Sequence, residues 1–181
     1  MWVGRALIVV DMLNDFVASD GTLSCGQSGQ NAVGPIVNLL EESLQQGDLI
    51  VLACDTHAPD DPEFVLWPRH CVAGTWGAQL YGPVQTFYEK HAGALVRMMP
   101  KTRYDAFFET PLAGWLQDFG ATEVIVAGVC TSICCYATAS GAYYRRLQVL
   151  IRPDAMGDLT EEAHDFAVRH MQAVLKAVQI S

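Results

Sequence analysis

The chain is short of positive charge, of charge in general, and of long apolar runs. Lys and Arg number 11 against 20 Asp and Glu in 181 residues, a formal net charge of −9. No basic face is therefore available for nucleic acid or for an anionic membrane surface. The N-terminal apolar run ALIVV is cut off by Asp11, far short of the roughly 20 residues that span a bilayer. No small-residue cleavage pattern follows it, so neither a membrane anchor nor a secretory leader is expected. Paired zinc-knuckle spacing is missing from the six cysteines, Cys25, Cys54, Cys71, Cys130, Cys134 and Cys135. A chain of this size without an export signal needs no disulfide staples, which points to a reducing cytoplasm. Repeats, low-complexity tracts and linkers are missing too.

Apolar residues are plentiful. They make up 51% of the chain against 17% charged, which indicates a large interior or a buried subunit interface. The expectation is one domain over residues 1–181, assembled as a homo-oligomer and working on a small molecule.

Short β-branched runs alternate with helical spacing. ALIVV at Ala6–Val10, DLIVLAC at Asp48–Cys54, EVIVA at Glu123–Ala127 and the run Gln148–Arg152 read as strands buried on both faces of a parallel sheet. Between them, Asn31–Gln46 has apolar residues at helical spacing and a stop at Gly47. Thr110–Pro111 opens a helix that ends near Gly120. Ile133–Arg146 is a third helix, and the Asp-x-x-Glu of Asp158–Glu161 reads as the capping box of a last one running to about Ala177. The segment from Pro59 to Pro100 shows no clear period and is read as a long functional loop. The fold class that follows is α/β, a doubly wound, mostly parallel, Rossmann-like sheet in three layers, with ligands bound beyond the carboxyl ends of the strands.

Three polar positions fall at such ends: Asp11, Asp55 and the start of the helix that carries Cys134. With Ser132 as N-cap, Cys134 lies in the first helical turn, where free N–H groups and the helix dipole favour a thiolate and can hold an oxyanion. The thiol is therefore expected to ionise readily. A small buried cysteine is the bland alternative. Asp11 interrupts LIVVDML; half-burial would raise its pKa and suit it to proton transfer, although a strand-end Asp bonded to backbone N–H groups reads as well. Lys101, in MMPKTRYDAFF, would stabilise a nearby thiolate if it is not simply solvated. Asp55, His57, Glu63 and His70 offer oxygen and imidazole ligands of the kind that hold zinc, manganese or iron, or they are ordinary loop residues.

Asp, Lys and Cys in this order, with VVDMLNDFV, DTH, LWPRHCVAGTWGAQL, KTRYDAF and AGVCTSIC in sequence, resemble the isochorismatase-like cysteine hydrolase superfamily. The nicotinamidases and pyrazinamidases are its most similar members. The resemblance runs along nearly the whole chain and implies a catalytic triad of Asp11, Lys101 and Cys134. It also implies a cis peptide before Cys130 and an oxyanion hole from the N–H groups of Cys130 and Cys134. A divalent ion, zinc first and manganese or iron also compatible, is implied on Asp55, His57, Glu63 and His70, with no organic cofactor. The activity implied is hydrolysis of nicotinamide to nicotinate and ammonia through a thioester, in NAD salvage. Phe16 and Trp67 match pocket positions of that family, and Tyr104 or Phe107 would complete a sandwich for a flat ring. Alternatives are another small amide, isochorismate, a non-catalytic binding module of the same fold, or a redox sensor using Cys134 and Cys135. Ser132 stands where many relatives have Asp.

Overall fold

The computed structural model describes residues 4–181; the first three residues of the segment read for a leader lie outside that range. Six strands form one parallel sheet: β1 (Gly4–Val10), β2 (Leu49–Asp55), β3 (Val96–Lys101), β4 (Ala121–Val129), β5 (Gln148–Gly157) and β6 (Val178–Gln179). Their spatial order is β3-β2-β1-β4-β5-β6. The helices are α1 (Asn14–Val17), α2 (Gly26–Gln46), α3 (Gly82–His91), α4 (Leu112–Phe119), α5 (Tyr136–Tyr144) and α6 (Glu161–Val174).

Because successive strand residues point to opposite faces, β1 feeds two cores at once. Leu7 and Val9 pack under α2 and α3, while Ala6, Ile8 and Val10 pack under α4, α5 and α6. This is a three-layer α/β arrangement. Strand order reverses between β1 and β4, so ligand binding is expected beyond the carboxyl ends there.

Gly128 makes that junction possible. It sits at φ 116° beside a register shift in β4, and a Cβ there would fall 2.0 Å from the Val10 carbonyl oxygen. Only glycine lets the ends of β1 and β4 come this close.

Several boundaries differ from those the sequence suggests. Helix α2 starts at Gly26 rather than Asn31 and contains Pro35. The stretch read as a loop from Pro59 holds α3, β3 and two 3₁₀ turns, Pro62–Val65 and Trp76–Ala78. Strand β5 runs on to Gly157, past Arg152.

Ser132 caps no helix. Thr131–Cys135 is a π turn leading into α5, and the N–H of Ser132 donates instead to the Asp158 carboxylate at 2.6 Å. Asp158 in turn does not cap α6, since Thr160 Oγ1 accepts from the N–H of Ala163 there. The Asp-x-x-Glu pattern thus marks the last helix correctly but names the wrong cap. A carboxylate beside free N–H groups satisfies whichever turn the fold presents to it.

Candidate active site

Every long strand contributes at its carboxyl end. Asp11 follows β1, Asp55 ends β2, Lys101 ends β3, Cys130 follows β4, and Asp158 follows β5. One pocket is lined by Asp11, Phe16, Asp55, His57, Lys101's neighbour Thr102 and Cys134, among others.

Lys101, 2% exposed, is the hub through its ammonium. It lies 2.8 Å from Asp11 Oδ2, 3.4 Å from Asp55 Oδ1 and 3.9 Å from Cys134 Sγ, and it donates to the Arg103 carbonyl at 3.1 Å. Asp11 Oδ1 accepts from the N–H of Asp55 at 2.8 Å, which fixes the carboxylate. Its Oδ2 has the ion pair with Lys101 but no aligned hydrogen bond. Asp11 itself is held at φ 55°, a left-handed conformation that an aspartate adopts at a cost of about 1–3 kcal/mol.

Burial dominates the electrostatics. It raises the Asp11 carboxyl above the ordinary carboxylate range, with Lys101 pulling down and Asp55 pushing up. Burial also lifts the Cys134 thiol well above its ordinary value; Lys101 opposes the shift, and Asp11 adds to it. The expectation of a readily ionised thiol is therefore corrected: Cys134 rests as a thiol. Lys101 resists the same desolvation because Asp11, Cys134 and Asp55 surround it, so it stays an ammonium.

Cys134 is 8% exposed on the π turn. The peptide bond between Val129 and Cys130 is cis, as the family resemblance implies, and the Cys130 carbonyl accepts from the N–H groups of Ile133 and Cys135. Cys130 Sγ lies 3.2 Å from Cys25 Sγ.

Beside this group, Asp55 Oδ2 lies 2.8 Å from His57 Nε2 and 3.3 Å from His70 Nε2. The other ring nitrogens are held by oxygen acceptors: His57 Nδ1 by Asp61 at 3.0 Å and His70 Nδ1 by the Pro68 carbonyl at 2.6 Å. Burial would lower His57, but the Asp55 and Asp61 carboxylates outweigh it and raise it to about 9. Two imidazoles oriented through their outer nitrogens, with one shared carboxylate, are a donor set suited to a divalent ion such as zinc.

Glu63 is on the pocket wall but outside the group whose donor atoms lie within 4.8 Å of one another; its carboxylate lies 3.7 Å from Arg103. Its 3₁₀ turn, capped by Asp61, carries it away from that group.

Of the aromatics, Phe16, Trp67 and Tyr104 line the pocket. Phe16 packs on His70 at 5.6 Å, and Trp67 Nε1 donates to the Tyr104 hydroxyl at 2.9 Å. Phe107 is not in the pocket. It is buried in the core under α5, with the Arg145 guanidinium over its ring at 4.4 Å.

Sequence reasoning passed over Phe64, which packs edge-on against both His57 and His70. It also passed over Asp61 and Asp15. Asp15 Oδ2 accepts from the N–H of Cys71 at 2.7 Å and fills the space beside Gly77. Asp61, four residues after His57 in DTHAPDD, was the one legible signal among these.

A family model described as the isochorismatase domain matches residues 5–180. The uncharacterized isochorismatase family protein PncA of Bacillus subtilis is 42% identical over 170 residues, 92% of this chain and 93% of that protein. The solved structure of the nicotinamidase/pyrazinamidase PncA from Bacillus subtilis is similar at a TM-score of 0.96 and 37% identity, over 99% of this chain and 100% of that one. That of the pyrazinamidase of Pyrococcus horikoshii in complex with zinc gives 0.87 at 27% identity, over 98% of each. By the extent of the domain match and by the identity to its relatives, the chain belongs to the isochorismatase family.

Proposed function

We propose that this protein, an amide-hydrolysing enzyme of the isochorismatase family, converts nicotinamide to nicotinate and ammonia through a thioester on Cys134. The observation that carries the reading is the meeting of Asp11, Lys101 and Cys134 around one buried ammonium at the mouth of the sheet. The similar structures, named for nicotinamidase and pyrazinamidase, supply the substrate class.

In this mechanism Asp11 takes the Cys134 proton through Oδ2, which no aligned donor occupies. The sulfur adds to the carboxamide carbon, and the N–H groups of Cys130 and Cys134 receive the oxyanion. As the oxyanion collapses, Asp11 returns its proton to the departing nitrogen and ammonia leaves. Asp11 then deprotonates a water that attacks the thioester, giving the acid and restoring the thiol. Lys101 keeps its charge throughout and balances the carboxylate or the sulfur, whichever is negative. A divalent ion on Asp55, His57 and His70, with Glu63 nearby, would supply a Lewis-acid site for the pyridine nitrogen. Phe16 and Trp67 flank the ring, and Tyr104 anchors Trp67.

The reading extends to one domain over residues 1–181, homo-oligomeric and working in cytoplasmic NAD salvage. Six unpaired cysteines suit a reducing compartment. No helix among the described residues is long and apolar enough to cross a membrane. A second reading, a small amide that carries a carboxylate, is favoured by the half-exposed Arg103 guanidinium beside the pocket.

Ammonia release from nicotinamide, pyrazinamide and a panel of small aliphatic amides, with and without chelator, tests both. Cys134→Ala is expected to lower kcat by at least about a thousandfold. His57→Ala is expected chiefly to raise KM and reduce metal content. Undiminished release by Cys134→Ala, or a preference for anionic aliphatic amides, overturns the nicotinamide assignment.

A further inference from the structure

The π turn that bears Cys134 is fastened at its entrance by groups outside the Asp, Lys and Cys set. Asp158, 1% exposed, accepts from the N–H of Ser132 at 2.6 Å and from that of Leu159 at 2.8 Å. Its own N–H donates to Ser28 Oγ at 3.1 Å. One residue earlier, Thr131 Oγ1 donates to the Gly157 carbonyl at 3.0 Å and so accepts from His164 Nδ1 at 2.8 Å. Gly157 is pressed against α2, where a Cβ would meet the Ser28 carbonyl oxygen at 2.8 Å. Residues 131 and 132 are thus tied to the end of β5, and the end of β5 to the start of α2. No element of the turn itself caps it.

We propose that Asp158 is a positioning residue for the oxyanion-binding turn. By taking up the N–H of Ser132, its buried carboxylate fixes the turn that carries the N–H of Cys134 and starts directly after Cys130. The proposal rests on the amide-hydrolase reading above. A carboxylate accepts strongly from backbone N–H groups, and a ring of fixed neighbours around it leaves the turn one arrangement. Oxyanion stabilisation depends on donors being in place before charge develops, and displacements of about 1 Å are enough to cost large factors in rate. Binding of the planar carboxamide makes no such demand, so the effect falls on kcat.

The test compares the parent with Asp158→Ala and Asp158→Asn. Asn keeps one oxygen for Ser132 but turns an N–H₂ toward the N–H of Leu159. Steady-state ammonia release is measured together with inhibition by pyridine-3-carbaldehyde. The Cys134 thiol adds across its carbonyl to give a hemithioacetal, with the thiol proton ending on the former carbonyl oxygen in the oxyanion position.

For Asp158→Ala, kcat is expected to fall about tenfold or more with KM within about twofold, and aldehyde inhibition to weaken by the same factor as kcat. Asp158→Asn is expected to recover part of both losses, and it carries the comparison if the Ala variant does not fold. Unchanged kcat, or lowered kcat with aldehyde inhibition intact, overturns the proposal. If the parent ignores nicotinamide but hydrolyses another amide of the panel, the substrate reading alone fails; the kcat and KM comparison is then made with that amide and its aldehyde.

Discussion

Replacing Lys101 by Met removes the ammonium but keeps much of the stem, so the loss is of charge in a dry place. Asp11 and Asp55 are 1% and 6% exposed, and both lie within 3.4 Å of Lys101 Nζ. Removing one partner from a buried ion group costs about 3–5 kcal/mol. In a chain of 181 residues each kcal/mol moves Tm by about 2–4 °C, so a fall of about 6–20 °C is expected. The loss should also depend on pH. Burial already lifts Asp11 above its ordinary 3.8 while Lys101 pulls it down, so the variant's carboxyl lies higher still. Such a group holds more protons folded than unfolded between its two pKa values, and stability falls as pH rises through that window. The variant should therefore come closest to the parent at the acid end of the range in which both stay folded, and fall further behind as pH rises. Each unit of added displacement is worth about 1.4 kcal/mol. Urea unfolding of chelator-treated parent and variant, followed by tryptophan fluorescence at several pH values, measures this. Equal midpoints, or a gap that does not change with pH, would refute the electrostatic account of the site.

The raised pKa of the Cys134 thiol predicts slow carbamidomethylation by iodoacetamide near about pH 7.5, with the rate still climbing past about pH 9. Asp11→Asn should speed it at about pH 9, because a neighbouring negative charge that raises the thiol is gone. Peptide mass spectrometry follows the site, and a half-point below about pH 8 speaks against the assignment. Gly128→Ala places a Cβ 2.0 Å from the Val10 oxygen at φ 116°. A drop of several degrees in Tm, with a large loss of kcat, should show in calorimetry and ammonia release. His70→Ala should weaken zinc binding, read by competition with a chromophoric chelator. Asp61→Asn, which alters the acceptor on the outer nitrogen of His57 and keeps an oxygen for the N–H of Glu63, should weaken it by about tenfold or more.

The parts of the fold that were legible in the sequence are those where one physical demand acts alone. β1, β2 and β4 are buried on both faces and read as unbroken β-branched runs. β3 was not legible. As an edge strand paired only with β2, it tolerates Pro100 and exposes Met98, and its VRMMPK has neither an apolar run nor clean alternation. The first turns of α2 were hidden in the same way, by Gly26, Ser28 and Gly29. Here Gly29 is wanted for close approach to Cys25 and Phe16 rather than for helix formation. In the site, Asp11 and Cys134 were legible because each interrupts or follows an apolar segment, and Lys101 through the motif KTRYDAF and its place in the order of motifs. Phe107 was misplaced because side-chain direction in the turns after β3 follows no period.

The thiol shows most directly why local reasoning ran short. At the start of a helix a cysteine gains from free N–H groups and the dipole, and from sequence these were the only terms in view. Folding adds desolvation, which is larger, and two carboxylates, Asp11 and Asp55, whose charges oppose ionisation against one ammonium that favours it. The net result is a protonated thiol, so in the proposed reaction proton removal becomes part of the catalytic step. The same burial that raises the thiol raises Asp11. The lift of Asp11 offsets part of the lift of the thiol, by about 1.4 kcal/mol for each unit. Lys101 beside both atoms favours a negative charge on either, so its attraction is retained as the charge moves from oxygen to sulfur. The site thus prepares the proton transfer rather than the thiolate, and an Asp11→Asn enzyme should be inactive even where its Cys134 alkylates faster than the parent's.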